Sequence, residues 1–322
     1  MEVRHIQFSN INNYPVRKTT GQKHALNINL EHKLSKDVFI KQQLPANNTS
    51  FQGHFYTDSW ITKFLKNRSY ENSIKGSKRP YLSLSEELTS IIKSVEIKVG
   101  KDEKINAFEI NPNNANKYLI FLHGFSQNIT SNQPLYKAVS KSNFGILAID
   151  YRGYGKNPKS THTSETDIMH DIQAAAKYLK EKGINSIGLV GHSFGGYMAA
   201  KTSNINTFDF QILVSPMLSL EFWLNNVLKN PKKYKVESLM IKYIPGFKEH
   251  YLKTFDIEKH ISSNTTPTYI VHSKTDGYIS AKRVNEFSKK VYNKKDYILI
   301  PKGGHRMDEN KINEIVNILN KL

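Results

Sequence analysis

The 322-residue sequence contains no cysteine, which excludes disulfides, thiolate metal sites and a cysteine nucleophile. It also lacks an uninterrupted apolar run of about 18 residues, the length expected of a transmembrane helix. The N-terminal stretch MEVRHIQFSNINNYPVRKTT has neither the apolar core nor the small-residue cleavage site of a secretory signal peptide. These absences predict a cytoplasmic protein.

Acidic residues are also scarce, with 28 Asp and Glu against 46 Lys and Arg and a formal net charge of +18. A basic balance favours contact with phosphates, lipid headgroups or acidic partners. The lysines are scattered and form no compact basic block, so a solvated basic surface is the simpler interpretation. No specific nucleic-acid partner is predicted, and nothing in the sequence determines the oligomeric state.

The chain changes character near residue 95, which predicts an N-terminal extension (1–94) and a main domain (95–322). The first part of the extension is rich in Asn, Lys and Gln and has little hydrophobic periodicity. Near its end, Ser83 and Glu86 have the spacing of a helix capping box, followed by an apolar stripe that reaches Val95. We expect a helix there that packs onto the main domain.

Short apolar runs alternate with helical patterns through the main domain. The runs are 95–99, 105–110, 118–122, 145–150, 186–190, 210–214, 268–272 and 297–300, and the helical patterns are 133–142, 165–182, 194–203, 282–292 and 309–321. Such runs are typical of strands buried on both faces of a parallel sheet. The alternation predicts a doubly wound α/β fold, interrupted by a mostly helical insert at about 216–266.

The segment GLVGHSFGG places Ser193 between Gly191 and Gly195, after an apolar run and before a helical pattern. This G-x-S-x-G pattern marks either a tight structural turn or a nucleophile elbow, in which the serine is held exposed between strand and helix. A serine hydroxyl is a weak nucleophile at neutral pH and needs a base within hydrogen-bond distance.

The partners of Ser193 are predicted from the rule that functional groups gather at the carboxyl ends of strands. His305 lies in a glycine-rich loop after the last apolar run, whereas His192 is expected to point away from the Ser193 side chain. Asp276 follows the preceding run, while Asp296 precedes its own run and is expected at the opposite edge. The predicted triad is therefore Ser193, His305 as base and Asp276 as acid.

An oxyanion hole requires backbone N–H groups aimed at the developing negative charge. One is expected from Phe194, directly after the serine. The other is expected from Phe125, in the loop HGFSQN that follows the run at 118–122. Gly124 lets this loop approach the substrate closely, so it is a predicted substrate-binding residue.

The segments FLHGFSQN, AIDYRGYGKNP, GLVGHSFGG, HSKTDGYIS and PKGGHRMD resemble, in order, motifs of the α/β-hydrolases. The closest resemblance is to the serine aminopeptidase-like and lysophospholipase-like branch, and it covers roughly residues 95–322. It implies an eight-stranded, mainly parallel sheet flanked by helices, with the insert as a helical lid. It also implies a cofactor-independent and metal-independent serine hydrolase with the triad named above.

The predicted activity is cleavage of a carboxylic ester or thioester, with a small molecule or a lipid as substrate. A serine peptidase or amidase is the alternative reaction. A non-catalytic receptor or interaction protein with this fold is a hypothesis of another class, which the intact triad disfavours. Export as a bacterial effector is a further hypothesis that the composition permits without supporting it.

The insert is predicted to decide which substrates reach Ser193. Trp223 and Leu224 lie on an apolar helical stripe, which predicts that they line an acyl pocket. Lys232, Lys233 and Lys235 follow and are expected to meet a lipid headgroup or an acidic leaving portion of the substrate, and an anionic membrane surface is a further predicted partner. The alternative is a lid that covers the core, with solvated lysines.

Overall fold

The computed structural model describes residues 80–125, 127–157, 164–203, 207–219, 224–225, 228–232, 238, 242 and 256–322, and the backbone of 14–17 and 23–26. The chain divides into two units, Met1–Phe64 and Leu65–Leu322. In the first unit, strands β1 (Tyr14–Arg17) and β2 (Lys23–Leu26) form an antiparallel hairpin.

The second unit contains an eight-stranded sheet flanked by helices. Its strands are β3 (Ile92–Lys98), β4 (Lys104–Ile110), β5 (Lys117–Leu122), β6 (Phe144–Ile149), β7 (Ser186–His192), β8 (Phe210–Val214), β9 (Thr268–Ser273) and β10 (Lys294–Ile300). They lie in the order β10-β9-β8-β7-β5-β6-β4-β3. The pairs β3–β4 and β4–β6 are antiparallel and the other pairs are parallel. The predicted eight-stranded, mainly parallel α/β sheet is confirmed.

Helices connect the strands at most of the predicted positions. They are α1 (Glu86–Ile91), α2 (Gln133–Val139), α3 (Glu165–Glu181), α4 (Phe194–Thr202), α5 (Glu258–Ile261), α6 (Ala281–Lys290) and α7 (Glu309–Leu319). Every residue of β6 and β8 is buried, because helices cover both faces of the central strands. Because β5, β7, β9 and β10 run parallel, their carboxyl ends lie at the same edge of the sheet.

The structure corrects the prediction for the helix before the sheet. Ser85, and not Ser83, caps helix α1, because its side chain accepts the N–H of Leu88. The helix ends before the predicted stripe does, since Ile92 pairs with Ile110 as the first residue of β3. The predicted domain boundary after residue 94 falls inside this strand.

The predicted insert at 216–266 lies mostly outside the described residues, and so does Trp223. Among its described residues, Leu224 is buried and Leu228 is 43% exposed. The role of the insert as a lid stays a prediction.

Candidate active site

Ser193 lies at a sharp turn between strand β7 and helix α4. Its backbone has φ 54° and ψ −113°, a conformation that an L-residue adopts only under strain of roughly 1–3 kcal/mol. The flanking glycines permit the turn: a Cβ at Gly191 would lie 2.2 Å from the carbonyl oxygen of Gly195, and one at Gly195 would lie 2.0 Å from that of Leu122. This is the strained strand-to-helix turn that a nucleophile elbow requires.

Backbone hydrogen bonds hold the elbow in this conformation. The N–H of Ser193 donates to the carbonyl of Val214 over 3.0 Å, which ties the turn to strand β8. The carbonyl of Ser193 accepts the N–H groups of Met217 at 2.9 Å and Tyr197 at 3.1 Å. These bonds from three sides fix the residue while its side chain stays half-buried and accessible.

The structure brings Ser193, His305 and Asp276 into one line of hydrogen bonds. The Nε2 atom of His305 lies 2.9 Å from Ser193 Oγ, and its Nδ1 atom lies 2.8 Å from Asp276 Oδ2. A carboxylate only accepts, so Nδ1 carries the ring proton and Nε2 is left to receive the proton of the serine hydroxyl. The imidazole therefore has the tautomer that a general base requires.

Asp276 is held in its ionised form. Burial by itself would raise the pKa of this carboxyl, but the hydrogen bond and charge of His305 and the N–H groups of Ile279 and Tyr278 lower it to about 2. These N–H groups donate to Asp276 Oδ1 over 3.0 and 2.8 Å, respectively. The negative charge is thus available to stabilise an imidazolium on His305.

The loop that carries His305 is attached on both sides. Thr275 donates its hydroxyl to the carbonyl of Gly303 over 2.9 Å. The ammonium of Lys311, which is fully buried, donates to the carbonyls of Gly304 and Arg306 over 2.7 and 3.0 Å. The lysine is paired with Asp308 at 2.8 Å, so its charge is compensated. His305, the predicted base, therefore lies between two anchored carbonyls.

The two predicted oxyanion residues are neighbours. The rings of Phe125 and Phe194 stack with centroids 4.0 Å apart, which holds the loop after β5 against the elbow. Phe194 is the first residue of helix α4, where backbone N–H groups have no partner within the helix and carry partial positive charge. Gly124 donates its N–H to Gln127 Oε1 over 2.9 Å, so its backbone braces this loop.

Sequence reasoning missed two residues beside the triad. His192 donates from Nε2 to the carbonyl of His305 over 2.8 Å, although the sequence pattern indicated only that it points away from Ser193. Lys311 carried a detectable signal, because it falls on the apolar stripe of helix α7 with Ile315 and Ile318. A lysine on a buried stripe indicates a specific partner for its charge.

Comparisons with known proteins agree with this architecture. An esterase of Pyrococcus furiosus superposes with a TM-score of 0.61 at 20% identity, over 76% of this chain and 98% of that one. The ferulic acid complex of Est1E from Butyrivibrio proteoclasticus gives a TM-score of 0.54 at 19% identity, over 70% and 96%. The serine aminopeptidase S33 family matches residues 113–255. These likenesses show that the chain has the fold of the α/β-hydrolases.

Curated proteins similar to this chain include a Mycoplasma genitalium protein with an esterase/lipase name, 28% identical over 37% of the chain and 44% of that protein. The carboxylesterase of Bacillus subtilis is 24% identical over 52% and 76%. The lysophosphatidylserine lipase ABHD12 of Xenopus tropicalis is 25% identical over 54% and 46%. The chain thus spans less than half the length of the first and the last of these relatives.

No described helix has the length and apolar character needed to cross a membrane. In the same part of the chain, histidine and carboxylate side chains form no cluster of three or more that could hold a metal ion.

Proposed function

We propose that this α/β-hydrolase cleaves a carboxylic ester or thioester through a covalent acyl-enzyme on Ser193. The observation that carries the proposal is the hydrogen-bonded line from Ser193 Oγ through His305 to Asp276, with distances of 2.9 and 2.8 Å. The strained elbow adds support, because such a backbone persists only where surrounding contacts hold it.

In the acylation step, Ser193 Oγ attacks the carbonyl carbon of the substrate while His305 Nε2 takes the hydroxyl proton. The negative charge that develops on the carbonyl oxygen is assigned to the N–H groups of Phe125 and Phe194. His305 then gives its proton to the departing alcohol or thiol as the bond between carbonyl carbon and leaving group breaks. Asp276 stabilises the imidazolium between these two transfers.

In the deacylation step, water replaces the leaving group. His305 Nε2 takes a proton from the water, whose oxygen attacks the acyl carbon. The second tetrahedral intermediate collapses, the proton passes to Ser193 Oγ, and the carboxylic acid is released. No oxidant, reductant or further reactant is needed.

The names of the relatives favour an ester over an amide. Carboxylesterase and lysophosphatidylserine lipase both denote ester cleavage, and they extend the substrate class to small molecules and lipids. Peptide or amide cleavage is the second candidate, because the matching family is named for a serine aminopeptidase. An amine is a poorer leaving group than an alcohol, so amide cleavage demands closer control of its protonation.

The test is labelling with a fluorophosphonate probe, which reacts covalently with activated serines. We expect the wild-type chain to be labelled and Ser193→Ala to be unlabelled, with esterase turnover lowered by roughly 10⁴-fold or more. Ser288→Ala is the matched control, since Ser288 is buried in helix α6 and its hydroxyl bonds only to the carbonyl of Asn285 among described partners. This control should be labelled like wild type.

Substrate class is tested with p-nitrophenyl butyrate and an aminoacyl p-nitroanilide. Turnover of the ester with little turnover of the anilide supports the proposal, and the reverse ranking supports the peptidase. Absence of labelling in the folded wild-type chain contradicts both and favours the non-catalytic alternative.

A further inference from the structure

His192 stands between the nucleophile and the base without belonging to the triad. It precedes Ser193 directly, as the last residue of strand β7. Its side chain is 3% exposed, and its ring centroid lies 5.3 Å from that of His305. Its Nε2 atom lies 2.8 Å from the backbone carbonyl oxygen of His305. One side chain therefore joins the elbow to the loop that carries the base.

The chemistry of this contact fixes the tautomer of His192. A carbonyl oxygen only accepts, so the proton of the imidazole must be on Nε2. Burial, and next the charge of His305, lower the pKa of His192 to about 4, which keeps the ring neutral near pH 7. A neutral ring adds no repulsion to the imidazolium that forms on His305 during turnover.

The second nitrogen of His192 faces the oxyanion loop. Nδ1 lies 3.4 Å from Oε1 of Gln127, and this oxygen accepts the N–H of Gly124 over 2.9 Å. Because Nδ1 carries no proton in this tautomer, it packs against Gln127 without donating to it. A Cβ at Gly124 would lie 3.3 Å from Nδ1 and 3.4 Å from Ser193 Cβ, so loop, ring and nucleophile are closely packed.

Three successive carbonyls of the base loop have donors, and they come from different elements. Lys311 of helix α7 donates to the carbonyls of Gly304 and Arg306, whereas His192 donates to the carbonyl of His305 itself. Helix α7 does not carry Ser193, whereas His192 directly precedes Ser193 in the chain. The His192 contact therefore links the loop of His305 directly to the strand that precedes Ser193.

We propose that His192 is a positioning residue, whose Nε2–H bond to the carbonyl of His305 keeps His305 Nε2 within reach of Ser193 Oγ. This inference rests on the proposed hydrolase activity. A misplacement of about 1 Å between reacting groups lowers rates by up to about 100-fold. Substrate binding is expected to change little, because His192 is buried behind the reacting atoms.

The test compares two substitutions at this position by kcat and KM for p-nitrophenyl butyrate and by the rate of fluorophosphonate labelling. His192→Leu removes the donor, and we expect kcat and the labelling rate to fall about 10- to 100-fold with KM within about 2-fold. His192→Gln keeps an N–H donor near the position of Nε2, and we expect it to recover most of the loss. A residue that only fills space would be replaced better by leucine.

Phe144→Leu is the matched control for lost stability, since Phe144 is a buried residue at the start of strand β6, at the other edge of the sheet. It should retain the wild-type kcat. If His192→Leu does not fold, His192→Asn replaces it, because the shorter amide is polar but falls short of the carbonyl of His305.

Two outcomes overturn the proposal: a variant without this hydrogen bond (His192→Leu or His192→Asn) with kcat within 2-fold of Phe144→Leu, or His192→Gln with kcat no higher than that variant. Labelling of wild type at Ser193 in the same experiment separates these outcomes from failure of the hydrolase proposal. If the wild type is not labelled, the activity itself is absent and the positioning role falls with it.

Discussion

Among the described residues, His305–Asp276 and His123–Asp150 lie at the same edge of the sheet, and of these two pairs the first contacts a serine hydroxyl. His305 and Asp276 follow β10 and β9, with 2.8 Å between Nδ1 and Oδ2. His123 and Asp150 follow β5 and β6, with 3.5 Å between Nε2 and Oδ1, too far for a good hydrogen bond. Both pairs combine the same residue types in loops that follow two neighbouring strands, so their chemistry is decided by what surrounds them.

The surroundings of His123 commit it to structure. The ring is fully buried beside Tyr151, with centroids 4.3 Å apart, and its Nδ1 donates to the carbonyl of Gly124 over 2.9 Å. Asp150 accepts the N–H of Ile129 over 2.8 Å and the hydroxyl of Tyr81. In His305 the Nε2 atom faces the hydroxyl of Ser193. In His123 the same atom faces the carboxylate of Asp150, which already accepts other hydrogen bonds.

A histidine beside an aspartate therefore becomes a base only when the carboxylate fixes the proton on one nitrogen and the other nitrogen faces a nucleophile. The first pair meets both conditions, and its histidine side chain is still 16% exposed. The second pair meets neither. Instead, its histidine stabilises the predicted oxyanion loop by donating a hydrogen bond to the Gly124 carbonyl.

Substitution of the two aspartates is the strongest way to break this comparison. Asp276→Asn is expected to lower turnover about 10³- to 10⁴-fold, because an amide donates to Nδ1 and imposes the wrong tautomer on His305. Asp150→Asn is expected to keep turnover within about 10-fold but to lower the free energy of unfolding by about 1–3 kcal/mol, since it disturbs buried hydrogen bonds. Steady-state kinetics and urea unfolding measure the two effects.

The control for this pair is Asp296→Asn, at an exposed position on strand β10. It should change turnover by no more than a few-fold and leave the free energy of unfolding nearly unchanged. If Asp150→Asn lost as much turnover as Asp276→Asn at equal stability, both aspartates would act in the reaction and the distinction between the pairs would be lost.

The pH dependence of stability sharpens the comparison for a third histidine, His192. Its pKa is lowered to about 4 in the folded chain by burial and by His305, from an ordinary value near 6.5. The unfolded chain then binds more protons between these values, so the free energy of unfolding should fall as pH drops from about 6.5 to about 4. Full development of this shift corresponds to about 3 kcal/mol.

The contribution of His192 is isolated by comparison with His192→Gln, which cannot titrate there. Neighbouring groups that also act on His192 are His305, Lys311 and Asp276, and they remain in both proteins. His272 also has a lowered pKa, chiefly from burial, and it too remains. The difference in unfolding free energy between the two proteins should therefore change across this pH window. A difference that is constant from pH 7 to pH 4 would show that His192 is protonated alike in both states.

The fold could be predicted from the sequence where one physical cause dominates. Strands buried on both faces leave uninterrupted apolar runs, and FQILV matches strand β8 residue for residue. The helix near Ser83 could not be placed as well, because its apolar stripe continues past Ile91. Pairing of Ile92 with Ile110, a contact distant in sequence, decides where the helix ends.

The same distinction applies to the site. The proximity of Ser193, Asp276 and His305 could be predicted because parallel strands carry them to one edge, which is a property of topology; their catalytic roles stay a prediction. The contact from His192 to the carbonyl of His305 depends on the path of a loop that no periodicity encodes. The position of Lys311 on an apolar stripe indicates that its charge has a partner, but the identity of the partners, the carbonyls of Gly304 and Arg306, again depends on the path of the loop.

The smallest expected effect is on the preference for ester chain length. It concerns the exposed side of His305, whereas His123 is fully buried. His305 is partly exposed, and the ring of Tyr278, 57% exposed, lies 5.0 Å from it by centroid, so a substrate has access there.

If Trp223 and Leu224 of the insert line an acyl pocket, each added CH₂ contributes about 0.8 kcal/mol, or about 4-fold in kcat/KM. We expect activity to rise from p-nitrophenyl acetate to medium-chain esters and Trp223→Ala to weaken the longer esters selectively. Binding to anionic vesicles that weakens with salt would add a lipid surface to this pocket. A profile that is flat or peaks at acetate, without vesicle binding at low salt, would instead leave a hydrolase of small esters with a lid that covers only the core.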